Sequence, residues 1–201
     1  MTDIASERLN RFRTAPNLLT LLRICLAPFL VAATLDNNYE LSFGLFVAAG
    51  LTDALDGLLA RLLRQRTMLG QYLAPVADKL LLSTLFVVLT YKGLIPAGVT
   101  VLVFGRDLGI LVVAAILYAA AGRREFKPSL LGKANTLAQV SAVAAVLLHQ
   151  WPQLATAHWL VVFCTVALGA TMVLTVLSGL HYAWCAARRT GVTAINGHSG
   201  H

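Results

Sequence analysis

A chain of 201 residues that is 58% hydrophobic and only 12% charged carries about half the charged fraction of an ordinary soluble domain, and it reads as an integral membrane protein. Its net charge of +7 then concerns topology and contact with anionic lipid rather than nucleic-acid binding. Cys25, Cys164 and Cys185 are odd in number and scattered, which argues against a disulfide framework and against a thiolate metal site.

In chain order, residues 1–15 form an N-terminal segment, either an amphipathic helix with Ile4 and Leu9 toward lipid or a flexible tail. The segment lacks an apolar run followed by a small-residue cleavage site, so no cleavable signal peptide is expected. Six apolar segments follow, at 17–35, 41–60, 69–91, 95–121, 130–150 and 157–185. Each is near or above the ~20 residues that cross ~30 Å of hydrocarbon. The breaks "DNNYE", "RLLRQRT", "KGLIP", "AGRREFKPS" and "HQWPQ" carry turn and helix-breaking residues. The expected fold is therefore all-α, with residues 16–187 forming one bundle of six transmembrane helices and 188–201 a loose Gly-rich tail.

Charge sets the expected orientation. Arg8, Arg11 and Arg13, then Arg61, Arg64 and Arg66, then Arg123, Arg124, Lys127 and Lys133, and finally Arg188 and Arg189 fall at the N-terminus, alternate breaks and the C-terminus. The intervening breaks hold Asp36, Glu40 and Lys92, and then no Lys or Arg. This is the positive-inside pattern with both termini cytoplasmic. Trp151, Trp159 and Trp184 lie near segment ends, where interfacial anchors belong.

Against this background, "LTDALDGLLARLLRQRTMLGQYLAPVADKL" (51–80) stands out. Asp53 and Asp56 are three residues apart and share a helix face. Gly57 and Ala60 continue that neighbourhood with almost no side chain, Arg61 lies near the boundary, and Asp78 and Lys79 fall in the third segment, with Arg106 and Asp107 in the fourth. A charge near mid-bilayer costs at least ~2.5–3.5 kcal/mol on insertion scales, so each needs a partner, a cavity or an ion. Any one of them is as well explained by interhelical ion pairing, for instance Asp78 with Arg106 or Lys79. As a set, Asp53, Asp56 and Asp78 outnumber their obvious partners, and crowded carboxylates repel unless a divalent cation neutralises them. Proton or ion transport would use similar residues, but no internal repeat of the kind common in transporters is evident.

The spacing Asp53-x₂-Asp56-Gly57-x₂-Ala60-Arg61-x₈-Gly70-x₃-Ala74-x₃-Asp78 resembles the signature of the CDP-alcohol phosphatidyltransferases, D-x₂-D-G-x₂-A-R-x₈-G-x₃-D-x₃-D. All fixed positions match except Ala74. "PNLLTLLRICLAP", "LAPVADKLL", "GRDL" and "KPSLLGKANTLAQ" resemble the members that make cardiolipin or phosphatidylglycerophosphate. The resemblance implies a six-helix membrane enzyme, usually a homodimer, that transfers the phosphatidyl group of CDP-diacylglycerol to an alcohol and releases CMP. It implies that Asp53, Asp56 and Asp78 belong to a two-cation Mg²⁺ or Mn²⁺ site, with Asp78 also the base on the acceptor hydroxyl. Asp56, Gly57, Ala60, Arg61 and Gly70 would bind CDP-diacylglycerol, and Arg106 and Lys133 an acceptor or lipid phosphate. "LTYKGLIP" and "FKPSLLGKANT" resemble the eukaryotic-type cardiolipin synthases, which points to phosphatidylglycerol as acceptor, with glycerol-3-phosphate the alternative. The expected setting is a bacterial inner membrane, with the site on the cytoplasmic side; the mitochondrial inner membrane is the alternative.

Ala74 departs from the pattern. It lies one turn from Asp78 on the same face, where an acid would converge on the same ions. The expected consequence is severe impairment of the chain as written. An engineered Asp→Ala change that traps substrate would explain intact flanks around a lost ligand, and a natural pseudoenzyme that binds the CDP-lipid without turnover is the alternative.

Overall fold

The computed structural model describes the backbone of residues 15–62, 68–121 and 130–196, and side chains within 20–55, 77–112, 130–181 and at 184. The N-terminal segment, Arg64, Arg66, Arg123, Arg124 and Lys127 lie outside the described residues. Among the described residues six helices run in order: α1 (Ala15–Leu35), α2 (Tyr39–Leu62), α3 (Met68–Tyr91), α4 (Ala97–Ala121), α5 (Leu130–His149) and α6 (His158–Asn196). The described residues contain no strand. The sequence reading expected a loose tail from residue 188, but α6 is helical through Asn196. Ala186, Ala187, Arg188 and Arg189 are strong helix formers, and no proline interrupts them.

The breaks end helices by identifiable chemistry. After α1, Asn37 adopts a left-handed φ of 60°. Its N–H donates to the Thr34 carbonyl at 3.2 Å, and the Asn38 N–H donates to the Ala33 carbonyl at 2.9 Å, together a Schellman cap. Asn38 then caps the next helix, its Oδ1 accepting the Leu41 N–H at 3.2 Å. The end of α3 repeats the device with Gly93 at φ 73°, where Gly93 and Leu94 donate to Thr90 and Leu89, both at 2.9 Å. A Cβ on Gly93 would meet nothing within 4 Å, so the cost of Gly93→Ala is conformational alone. A loss of about 1–2 kcal/mol is expected, read as a lower thermal midpoint in detergent.

The described residues fall into two compact units, one drawn from Met1–Leu94 with Val143–Ala157, the other from Ile95–Ala142 with His158–His201. In the first, α1 packs on α2 and α3. Leu81, Leu82, Leu85, Phe86 and Leu89 of α3 are buried there with Leu30, Phe46 and Leu147, at the 3–4-residue spacing of one helix face. Lys92 Nζ donates to the Leu35 carbonyl at 3.0 Å, tying the ends of α1 and α3 together. Phe43 and Trp151 meet edge to face at 5.6 Å. In the second unit α4 packs on α6, with Val99, Val103, Leu160 and Ala167 buried.

Polar side chains lie within an apolar interior, and many large apolar side chains lie on the surface. Thr20, Arg23, Thr34, Ser42, Asn135, Gln139, Thr171, Thr175 and Ser178 are buried, whereas Phe29, Val101, Leu130, Trp159, Val166 and Leu180 are exposed. Apolar surroundings favour this arrangement, because polar groups gain partners only in the interior. Among the described residues two segments, Leu130–His149 and His158–His181, are long and apolar enough to cross a membrane, and a shorter apolar stretch covers Thr20–Leu35. Asp53, Asp56 and Arg61 interrupt α2, Asp78 and Lys79 interrupt α3, and Arg106 and Asp107 interrupt α4.

Candidate active site

On α1 the buried face carries Thr20, Arg23, Leu30, Ala33 and Thr34, so the helical repeat that buries leucines also buries a guanidinium. On α2 the buried row Ser42, Phe46 and Ala49 leads, four residues on, to Asp53. On α3 the row Leu81, Leu85 and Leu89 leads back to the half-buried Asp78. The acids therefore stand where the hydrophobic rows of α2 and α3 would otherwise continue toward their neighbours. Arg23 lies twelve residues before Leu35, about 18 Å along α1 from the end held by Lys92.

Arg23 Nη2 lies 2.7 Å from Asp53 Oδ1, with the Arg23 side chain 1% and the Asp53 side chain 50% exposed. Asp78 lies in the same compact unit as this pair. The first unit thus holds a half-buried and a half-exposed carboxylate, the latter paired with a buried cation. Asp56, Gly57, Ala60 and Arg61 lie on the last turns of α2, and Gly70 and Ala74 on the first turns of α3; their side chains lie outside the described residues. Helical register puts Asp53, Asp56, Gly57 and Ala60 on one face of α2, and Ala74 and Asp78 on one face of α3.

Among the described residues no three His, Cys, Asp or Glu side chains converge. The acids at hand, Asp53 and Asp78, offer carboxylate oxygen, the donor that Mg²⁺ and Mn²⁺ prefer over thiolate or imidazole. Asp53 remains half open beside its arginine, so this donor set fits a hard divalent cation.

Arg106 and Lys133 belong to the second unit. Arg106 Nη1 contacts Asp107 Oδ1 at 2.6 Å, and Nε donates to Ser178 Oγ at 3.1 Å. Lys133 is exposed on α5. One turn from Ser178, Thr175 Oγ1 donates to Asn135 Oδ1 at 2.9 Å, both groups buried. Thr175→Val keeps the shape and strands a buried amide oxygen. It is expected to cost about 1–3 kcal/mol, seen as a lower thermal midpoint.

Arg23 was not singled out by the motif. It is a lone cation in "PNLLTLLRICLAP", three residues after Thr20 on a helix that is otherwise apolar, and that isolation is the signal that marks it. The pairing itself joins residues 23 and 53, from separate helices, and no local pattern encodes it.

The profile of the CDP-alcohol phosphatidyltransferase family matches residues 13–176. The chain is 38% identical over 152 residues to the human cardiolipin synthase (CMP-forming), covering 67% of this chain and 50% of that one. It thus spans about half the length of this relative. It is 34% identical over 188 residues to a probable phosphatidylglycerophosphate synthase of Mycobacterium tuberculosis, covering 90% of this chain and 85% of that protein. Against the CDP-diacylglycerol–glycerol-3-phosphate 3-phosphatidyltransferase of Bacillus subtilis the identity is 34% over 177 residues, with 77% and 90% covered.

Proposed function

The chain belongs to the CDP-alcohol phosphatidyltransferase family, and from this we propose that its native activity is transfer of a phosphatidyl group from CDP-diacylglycerol to phosphatidylglycerol, giving cardiolipin and CMP. The observation that carries the reading is the motif of residues 53–78 on α2 and α3, with Asp53 and Asp78 in one compact unit and Asp53 paired with Arg23.

Asp53, Asp56 and Asp78 would hold divalent cations, two in the native motif, as Mg²⁺ or Mn²⁺, which would offset the charge of the pyrophosphate and of departing CMP. Gly57, Ala60, Arg61 and Gly70 would shape the CDP-diacylglycerol pocket, a guanidinium being suited to phosphate. Asp78 takes the acceptor hydroxyl proton while the acceptor oxygen forms its bond to the phosphatidyl phosphorus. The bond from that phosphorus to the oxygen bridging to CMP breaks, and CMP leaves with the electron pair. Arg106 and Lys133 serve the acceptor's or the lipid's phosphate. The steps need positioning and charge neutralisation more than covalent assistance from protein.

Ala74 in this reading removes a ligand, and the chain as written is impaired. The setting is a bundle of six membrane-crossing helices with both termini cytoplasmic, working as a homodimer in a bacterial inner membrane. The arginine distribution and the exposed apolar surface support the membrane part of this reading.

Glycerol-3-phosphate as acceptor is the second reading, favoured by the near full-length coverage of the two bacterial relatives. An equimolar mixture of phosphatidylglycerol and glycerol-3-phosphate, given with CDP-diacylglycerol and Mn²⁺ to the Ala74→Asp form, separates the two. Cardiolipin is the expected main product. Phosphatidylglycerophosphate as the main product overturns the acceptor assignment. Binding of CDP-diacylglycerol without CMP from either acceptor overturns the transferase reading in favour of a pseudoenzyme.

A further inference from the structure

Arg23 is the most deeply buried charge among the described residues, with a side chain 1% exposed. Its Nε and Nη1 have no hydrogen-bond partner, and its Nη2 meets Asp53 at ion-pair distance without an aligned hydrogen bond. A guanidinium offers five N–H donors in a planar fork, and a buried cation left so under-satisfied is costly. Hydrophobic packing alone would place leucine here, as it does at Leu30 on the same face. The cation instead stands beside Asp53, in the unit that also holds Asp78.

We propose that Arg23, outside the family motif, is the positioning residue of the acid cluster. It fixes the Asp53 carboxylate by one oxygen, leaving the half-exposed remainder of that carboxylate for a divalent cation, and it offsets the charge of that carboxylate before a cation arrives. The inference rests on the metal-site reading given above. Its chemistry is that of an outer-shell partner: a group that hydrogen-bonds or pairs with a ligating carboxylate sets the ligand's orientation, and removing such a partner typically costs about 10–100-fold in metal affinity.

The test is Mn²⁺ binding by electron paramagnetic resonance on the full chain carrying Ala74→Asp, without substrate, so that turnover is not the readout. Arg23→Met should weaken Mn²⁺ binding by about tenfold. Arg23→Lys should weaken it less, by about threefold, because an ammonium keeps the charge and loses the fork. In an Asp53→Asn background, Arg23→Met should add less than about twofold, since a residue acting through Asp53 has nothing further to lose. Unchanged affinity in Arg23→Lys overturns the proposal, and that variant carries the test if Arg23→Met does not fold. Tighter Mn²⁺ binding in Arg23→Met also overturns it, as does a double substitution whose loss is the product of the single losses. Absence of Mn²⁺ binding in the Ala74→Asp chain itself overturns the metal reading, and this inference with it.

Discussion

Ala74→Asp is expected to raise CMP release from CDP-diacylglycerol by about 100-fold or more. Residues 74 and 78 lie on the unbroken helix α3, four apart, so an acid at 74 shares its face with Asp78. That face belongs to the unit that holds Asp53 and Arg23. A third or fourth carboxylate there adds an anionic ligand where pyrophosphate charge must be offset. A metal contribution of several kcal/mol to the transition state converts at 1.36 kcal/mol per tenfold to about two orders of magnitude or more. The comparison is a CMP assay on both forms in the same detergent and at the same Mn²⁺ concentration. Equal rates would mean that the residue at 74 is not a ligand, and water would then complete the site.

Asp78→Asn in the Ala74→Asp background should lower kcat by about 10²–10⁴-fold, the range for loss of a positioned general base. Asparagine keeps the shape and cannot accept the proton. Because Asp78 is also a proposed ligand, part of the loss should appear as a higher Mn²⁺ requirement, and saturating Mn²⁺ isolates the part due to proton transfer. Asp53→Asn should act differently, with its loss relieved in larger part by added Mn²⁺. Its proposed work is ligation alone, and Arg23 still occupies one side of the residue. If the two variants respond to Mn²⁺ identically, Asp78 has no base function distinct from metal binding.

Part of the helical order is readable in the residues because local chemistry ends α1 and α3. Asn37 and Gly93 adopt left-handed φ at two of the expected breaks, and Asn38 caps the helix that follows, so the break residues do what their types allow. The acids of the motif are readable too, since spacing alone puts Asp53 with Asp56 and Ala74 with Asp78 on shared faces. The end of α6 is less so: "RRTGVTAIN" combines a glycine and β-branched residues with good helix formers, and weak propensities do not decide a helix end. The partner of Asp53 is not readable at all. Arg23 lies thirty positions away on another helix, and only the packing of α1 on α2 brings the two together. The same holds for Thr175 and Asn135, two ordinary polar residues whose pairing depends on how α5 and α6 pack.

The central claim is that the acids of α2 and α3 hold a divalent cation for transfer of the phosphatidyl group. Its most direct test is CMP release as a function of Mn²⁺, by the Ala74→Asp chain supplied with CDP-diacylglycerol and phosphatidylglycerol. Saturable release is expected, abolished by EDTA and lowered by about 100-fold at limiting Mn²⁺ by Asp53→Asn. Release that continues at full rate in EDTA, or that Asp53→Asn leaves unchanged, would contradict it.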